Sequence, residues 1–251
     1  MKNLIRPNIL PWFTLGCGGL GLALRFWLYA SKDEKGLLPV RHPAGVLIFV
    51  LTALVVGVLF LSVRQLRPMD KYARLFPAGI RRAVGCAAGA AGVLAGTVFR
   101  CFHSTGLLRL LTCAAGVAAV ICLGYTAVLR LKGRRPSFLL HAIFTVFVML
   151  YTVCQCQHWG SQPEVQTYFF PLLACIALML TGYYLSVLDT RKSGRRWLVF
   201  FNQAALFCCC LSLTEENRLF YLGMAIWLAL DLCSVEVTHT PVAPPSEEAE
   251  A

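Results

Sequence analysis

Residues 43–63 read PAGVLIFVLTALVVGVLFLSV, without one charged side chain. A helix needs about 20 mostly apolar residues to cross about 30 Å of hydrocarbon, and this stretch is long enough. Working outward, further apolar runs appear on either side. A first lies at about Ile9 to Ala30, and a third at about Ala83 to Phe99, short and rich in Gly and Ala. A fourth follows at about Leu107 to Leu131, and a fifth at about Phe138 to Gln157. The sixth is about Val165 to Leu188, the seventh about Trp197 to Leu213, and the eighth about Leu219 to Cys233. The last two are near the short limit for a span. The pattern predicts an all-α, polytopic membrane helix bundle of eight spans, forming one transmembrane domain over 1–237. The Pro-, Ala- and Glu-rich segment 238–251 is expected to be a disordered acidic cytoplasmic tail.

Composition points the same way. Of 251 residues, 58% are hydrophobic and 14% charged, with a mean hydropathy of +0.67. Soluble domains carry about 25% charge. No segment between the spans is long enough for a separate catalytic or nucleotide-binding domain. The longest, Arg64 to Arg82, carries an expected interfacial helix at Asp70–Phe76.

The charges sort by side. Lys2 and Arg6 precede the first span. Arg64, Arg67, Lys71, Arg74, Arg81 and Arg82 lie between spans two and three, Arg130, Lys132, Arg134 and Arg135 between four and five, and Arg191, Lys192, Arg195 and Arg196 between six and seven. The alternate side keeps Arg25, Lys32, Lys35, Arg41, Arg100, Arg109 and Arg218. This alternation follows the positive-inside rule and places both termini in the cytoplasm. The expected setting is a plasma membrane, a bacterial inner membrane in particular. The net charge of +11 then serves orientation and contact with anionic phospholipid at the cytoplasmic face; nucleic acid is not an expected partner.

The twelve cysteines lie almost all within apolar runs, which is the placement of small packing residues rather than of a disulfide framework. Cys208, Cys209 and Cys210 point three ways around a helix and cannot share one metal. His42, His103 and His158, with Cys101 and Cys156, come from separate loops without ligand spacing. No metal and no cofactor are expected. The glycines Gly16, Gly18, Gly19 and Gly21 sit inside a span, where a dinucleotide fingerprint has neither its strand nor its helix start. Trp12, Trp27, Trp159, Trp197 and Trp227 fall mostly near span ends, as interfacial anchors do.

Inside the spans, polar groups are costly and tend to face the bundle interior. The fifth span carries His141, Thr145, Thr152 and Gln155 at spacings that share one helical face. The seventh adds Asn202 and Gln203 at a depth similar to His141. These six are the candidate lining of a solute path between spans five and seven. The competing role is interhelical or same-helix hydrogen bonding. The third span carries Gly85, Gly89, Gly92 and Gly96, two small-xxx-small pairs that let a neighbouring backbone approach closely. Pro171 is a candidate kink in the sixth span. The motif Gly-Arg-Arg at 133–135 and again at 194–196 raises a duplication of hairpins 4–5 and 6–7; against it, any cytoplasmic turn between spans tends to be basic.

No carboxylate falls at mid-depth, which disfavours a proton-coupled carrier. No nucleophile, base and metal set converges, so a lipid-acting intramembrane enzyme ranks last. The leading expectation is a small-solute carrier or solute-binding membrane component. The alternative is a non-enzymatic assembly or sensor subunit working through a membrane-protein partner.

Overall fold

Apolar helices in lipid must satisfy their own backbone groups, and the described residues are built accordingly. The computed structural model describes residues 9–31, 42–64, 79–103, 106–159, 165–187 and 194–233. They form eight α-helices: α1 (Leu10–Ala30), α2 (Pro43–Arg64), α3 (Ile80–His103), α4 (Gly106–Leu131), α5 (Phe138–Trp159), α6 (Val165–Ser186), α7 (Gly194–Leu211) and α8 (Arg218–Cys233). A 3-10 turn, Ser212–Thr214, joins the last two. The expected interfacial helix at Asp70–Phe76, the 238–251 tail and the basic residues at 65–78 and 188–193 lie outside the described residues, as do the side chains of His103, His158 and Trp159.

Local chemistry sets several helix ends. Pro11 falls in the first turn of α1, where its missing N–H costs nothing. Pro43 opens α2, and the Ala44 N–H donates to His42 Nδ1 at 3.3 Å. At the end of α4, Gly133 has a φ of 65°. Its N–H donates to the Arg130 carbonyl at 3.4 Å, and the Arg134 N–H to the Leu129 carbonyl at 2.9 Å. That pair of bonds is a Schellman stop, for which glycine is the favoured residue. Gly194, its counterpart in the suggested duplication, instead opens α7, so the two turns are built differently.

Seven of the helices are long and apolar enough to cross a membrane. The eighth, α8, has 16 residues, a rise of about 24 Å. Two spans depart from the expected bounds. The third is not short: α3 has 24 residues, because Arg81, Arg82 and Arg100 lie within the helix rather than in flanking loops. The turn between α7 and α8 is sunk into the bundle, with Ser212 and Asn217 buried.

The helices alternate in direction. Neighbours α3 to α8 form a ring in which α3 meets α4, α4 meets α5, and so on to α8, which packs back on α3. Helix α1 packs on α7 and α2, and α2 lies outermost. Helices α3 and α8 are antiparallel: Gly85 faces Leu230, Gly89 faces Trp227, Gly92 faces Gly223 and Gly96 faces Phe220. Inside the ring, α5 reaches α8 through aromatic rings. Phe144 meets Trp227 edge-on at 5.1 Å, and Tyr151 lies 4.5 Å from Phe220. Trp227 is wholly buried, not an interfacial anchor as its place near a span end suggested. Trp12, Trp27 and Trp197 are exposed. The outer surface is apolar, with Val46, Leu47, Val50 and Leu54 on α2 and Leu110, Val117 and Ile121 on α4 all exposed. A soluble protein rarely shows so continuous an apolar surface.

The α3–α8 contact yields a test. A Cβ at Gly223 would lie 2.5 Å from Gly92 Cα and 2.7 Å from the Ala88 carbonyl. Gly223→Val should therefore lower stability by about 1–3 kcal/mol, the usual cost of overpacking. Gly57 has nothing within 4 Å, and Gly57→Ala should hold or raise the midpoint. Thermal unfolding in detergent reads both; an unchanged Gly223→Val protein contradicts the close approach.

Candidate functional site

The helix directions gather charged side chains at the two ends of the bundle. At the end where α1, α3, α5 and α7 begin, Arg130 of α4 donates to Asp231 of α8 in an ion pair whose members are both buried. Arg82 of α3 is buried beside them, within electrostatic reach of Asp231. Trp227 Nε1 and the Cys86 thiol flank the same carboxylate, the indole without a hydrogen bond of good geometry. His141 of α5 stands near Arg130. It is 1% exposed, and neither ring nitrogen has a hydrogen-bond partner among the described residues.

The other candidates from the fifth and seventh spans divide. Thr145 and Thr152 return their hydroxyl hydrogens to carbonyls of their own helix, His141 at 2.9 Å and Val148 at 2.7 Å. A hydroxyl in that position is satisfied locally. The Gln155 amide donates to the Tyr151 hydroxyl at 2.9 Å, one turn back. Asn202 and Gln203 are buried on α7, and their Oδ1 and Oε1 atoms have no hydrogen-bond partner among the described residues. No hydrogen bond joins His141 to Asn202 or Gln203 among the described residues. Helix α6 packs against both α5 and α7, which are not backbone neighbours themselves, so a path between spans five and seven runs past α6.

At the opposite end, two arginines do different work. Arg25 of α1 donates to the Leu211 carbonyl at 2.8 Å, to the Tyr29 hydroxyl at 3.0 Å and to Glu215 Oε1 at 3.0 Å. The first bond satisfies a carbonyl at the end of α7, where a cation is also favoured by the helix dipole. Arg25 thereby ties the recessed turn to α1. Beside it, Leu28, Gly45, Ile48, Phe49 and Phe170 complete a crevice with a volume of about 10 Å³, room for roughly one water. Arg100 of α3 is buried against the faces of Phe99 and Tyr151, at 5.5 and 5.3 Å from the ring centres. Tyr151 accepts from Asn217 at 2.7 Å as well as from Gln155.

Arg25, Arg82, Arg100, Arg130 and Asp231 are all buried, so the bundle interior is richer in charge than the sequence reading expected. The signal that could have exposed them is weak. Arg25 interrupts an apolar run, whereas Arg130 and Asp231 lie near span ends and look like ordinary flanking residues. Among the described residues, no three His, Cys, Asp or Glu side chains gather in a group fit to hold a metal ion.

The seven long apolar helices and the apolar exterior define a multi-span membrane protein. Compared with family models, curated proteins and solved structures, this chain matches none.

Two measurements probe the ends. Removing one member of a buried ion pair strands the other and costs about 3–5 kcal/mol, whereas an apolar replacement of both is often neutral. Arg130→Met and Asp231→Leu should each lower the thermal midpoint sharply, and the double variant should recover most of the loss. Strictly additive losses would mean the pair is not coupled. At the far end, burial pushes the Glu215 carboxyl above its ordinary value, and Arg25 pulls part of that shift back. The folded protein therefore favours the protonated form. Its contribution to stability is fully present below the ordinary carboxylate value and is lost as pH rises through the elevated one. Glu215→Gln should flatten that fall in a series of melting curves across the weakly acidic range; a slope identical to the parent's would assign the pH dependence to other groups.

Proposed function

We propose that this multi-span membrane protein is a small-solute carrier or solute-binding component. In this reading both termini lie in the cytoplasm of a bacterial inner membrane, and the basic loops meet anionic phospholipid. The polar path runs past α6 between spans five and seven, lined by His141, Asn202 and Gln203, with Thr145, Thr152 and Gln155 along the same face of α5. The observation that carries the reading is His141, almost wholly buried with both ring nitrogens unpartnered among the described residues. Buried polar atoms in native proteins are nearly always hydrogen-bonded, and exceptions call for a functional explanation. The unmet oxygens of Asn202 and Gln203 supply complementary acceptors for a polar solute.

The second reading is an assembly or sensor subunit with a membrane-protein partner. It is favoured by the centre of the ring, where Phe147, Tyr151, Phe220 and Trp227 are fully buried and fill the space that a carrier in this conformation would keep open.

A thermal-shift screen of small anionic, cationic and neutral metabolites on the detergent-purified protein, followed by uptake of any stabilising compound into proteoliposomes, separates the two. The carrier reading expects a compound that raises the midpoint and is taken up. His141→Ala and Asn202→Ala should abolish both effects while membrane insertion is preserved. Full activity in both variants, or a screen without hits, removes the solute path and leaves the subunit reading. Protease protection of tags at each end tests the orientation; a carboxyl end found outside the cell refutes it.

A further inference from the structure

Around Cys175, in the half of the bundle away from His141, hydrogen-bond donors outnumber acceptors. Arg100 comes from α3, Tyr151 and Gln155 from α5, Cys175 from α6, Asn217 from the recessed turn and Tyr221 from α8. Arg100, Tyr151, Asn217 and Tyr221 are all 5% exposed or less. Among the described residues the Arg100 Nε has no hydrogen bond, and neither ion pair includes Arg100. Its charge lies close to both Tyr151 and Cys175. The Tyr151 oxygen already accepts from Gln155 and Asn217, so its own hydrogen is left to donate. The Tyr221 hydroxyl faces the Cys175 sulfur and has no hydrogen bond of good geometry among the described residues.

Among the described residues, the nearby carboxylates do not answer this surplus. Glu215 is engaged by Arg25 at 3.0 Å, and Glu216 is exposed. The ring faces of Phe99 and Tyr151 and the C-terminal end of α3 offset part of the charge of Arg100. Neither supplies an acceptor for the guanidinium fork, which is suited to two oxygens of one anion.

We propose that this half of the bundle holds a binding site for an oxygen anion, a phosphate or carboxylate, gripped by Arg100 and completed by the phenols of Tyr151 and Tyr221. The Asn217 and Gln155 amides fix the Tyr151 hydroxyl so that its hydrogen faces the anion. The same chemistry fits a free solute and the phosphodiester of a lipid headgroup. The site lies away from His141; it shares Gln155 with the solute path proposed above but needs neither His141, Asn202 nor Gln203.

The test uses the full-length protein in two settings. In detergent, inorganic phosphate and acetate are titrated against chloride at matched ionic strength, and the thermal midpoint is followed. In nanodiscs, phosphatidylcholine alone is compared with phosphatidylcholine containing phosphatidylglycerol. A saturable rise with phosphate or acetate identifies a free anion; a rise only with phosphatidylglycerol identifies the lipid. In either case Arg100→Gln should weaken the effect by about tenfold or more, the scale of a lost charge-assisted contact. Arg100→Lys should fall between, and Tyr151→Phe, which keeps the ring, should weaken it a few-fold. His141→Ala should leave the effect intact, so failure of the solute path and failure of this site are separable. The proposal is overturned if no probe exceeds the chloride control, or if Arg100→Gln responds like the parent. Should Arg100→Gln not fold, an unchanged response in both Arg100→Lys and Tyr151→Phe overturns it equally.

Discussion

The close approach of α3 and α8 is the contact on which the remaining architecture depends. Gly92 and Gly223 let the two backbones meet without intervening side chains. In lipid, where apolar surface has little reason to prefer another helix over the bilayer, such close packing is a principal source of helix association. Once α8 is held there, its Phe220, Tyr221 and Trp227 fill the ring interior, and Asp231 is brought to Arg130. The turn that precedes α8 is packed against the bundle, with Ser212 and Asn217 buried. The helix-end carbonyl of Leu211 meets Arg25 rather than water.

Much of the helical layout is readable from hydropathy and from the alternation of basic loops. Residues 43–63 carry no charge, and α2 begins at Pro43 and ends at Arg64. Helix α3 shows where that method falters. A hydropathy reading stops at arginine, so it trims the helix to 83–99, whereas the backbone hydrogen bonding continues through Arg81, Arg82 and Arg100. Arg81 stays exposed, whereas Arg82 is buried near Asp231 and Arg100 lies against the rings of Phe99 and Tyr151; Asp231 and Tyr151 come from distant parts of the chain. Arg130 and Asp231 are 101 positions apart, and no local pattern announces their encounter.

The polar stripe of α5 illustrates a second limit. Spacing correctly identifies which side chains share a helical face, but not what each does with its hydrogens. Thr145 and Thr152 spend theirs on their own backbone, while His141, four residues from Thr145, has no such outlet. Gln155 turns toward Tyr151, an aromatic residue that a composition count groups with the hydrophobic ones. Tyrosine hydroxyls are thus the polar atoms most easily overlooked when a membrane sequence is scanned for buried chemistry.

The order of synthesis adds a consequence. The ring is closed by α8, which leaves the ribosome after the other seven helices. Until it enters, the glycine groove of α3 has no occupant and Arg130 has no carboxylate from Asp231. The nascent bundle therefore passes through a stage in which the α3 seam is unsealed, and its closure waits on the α7–α8 hairpin.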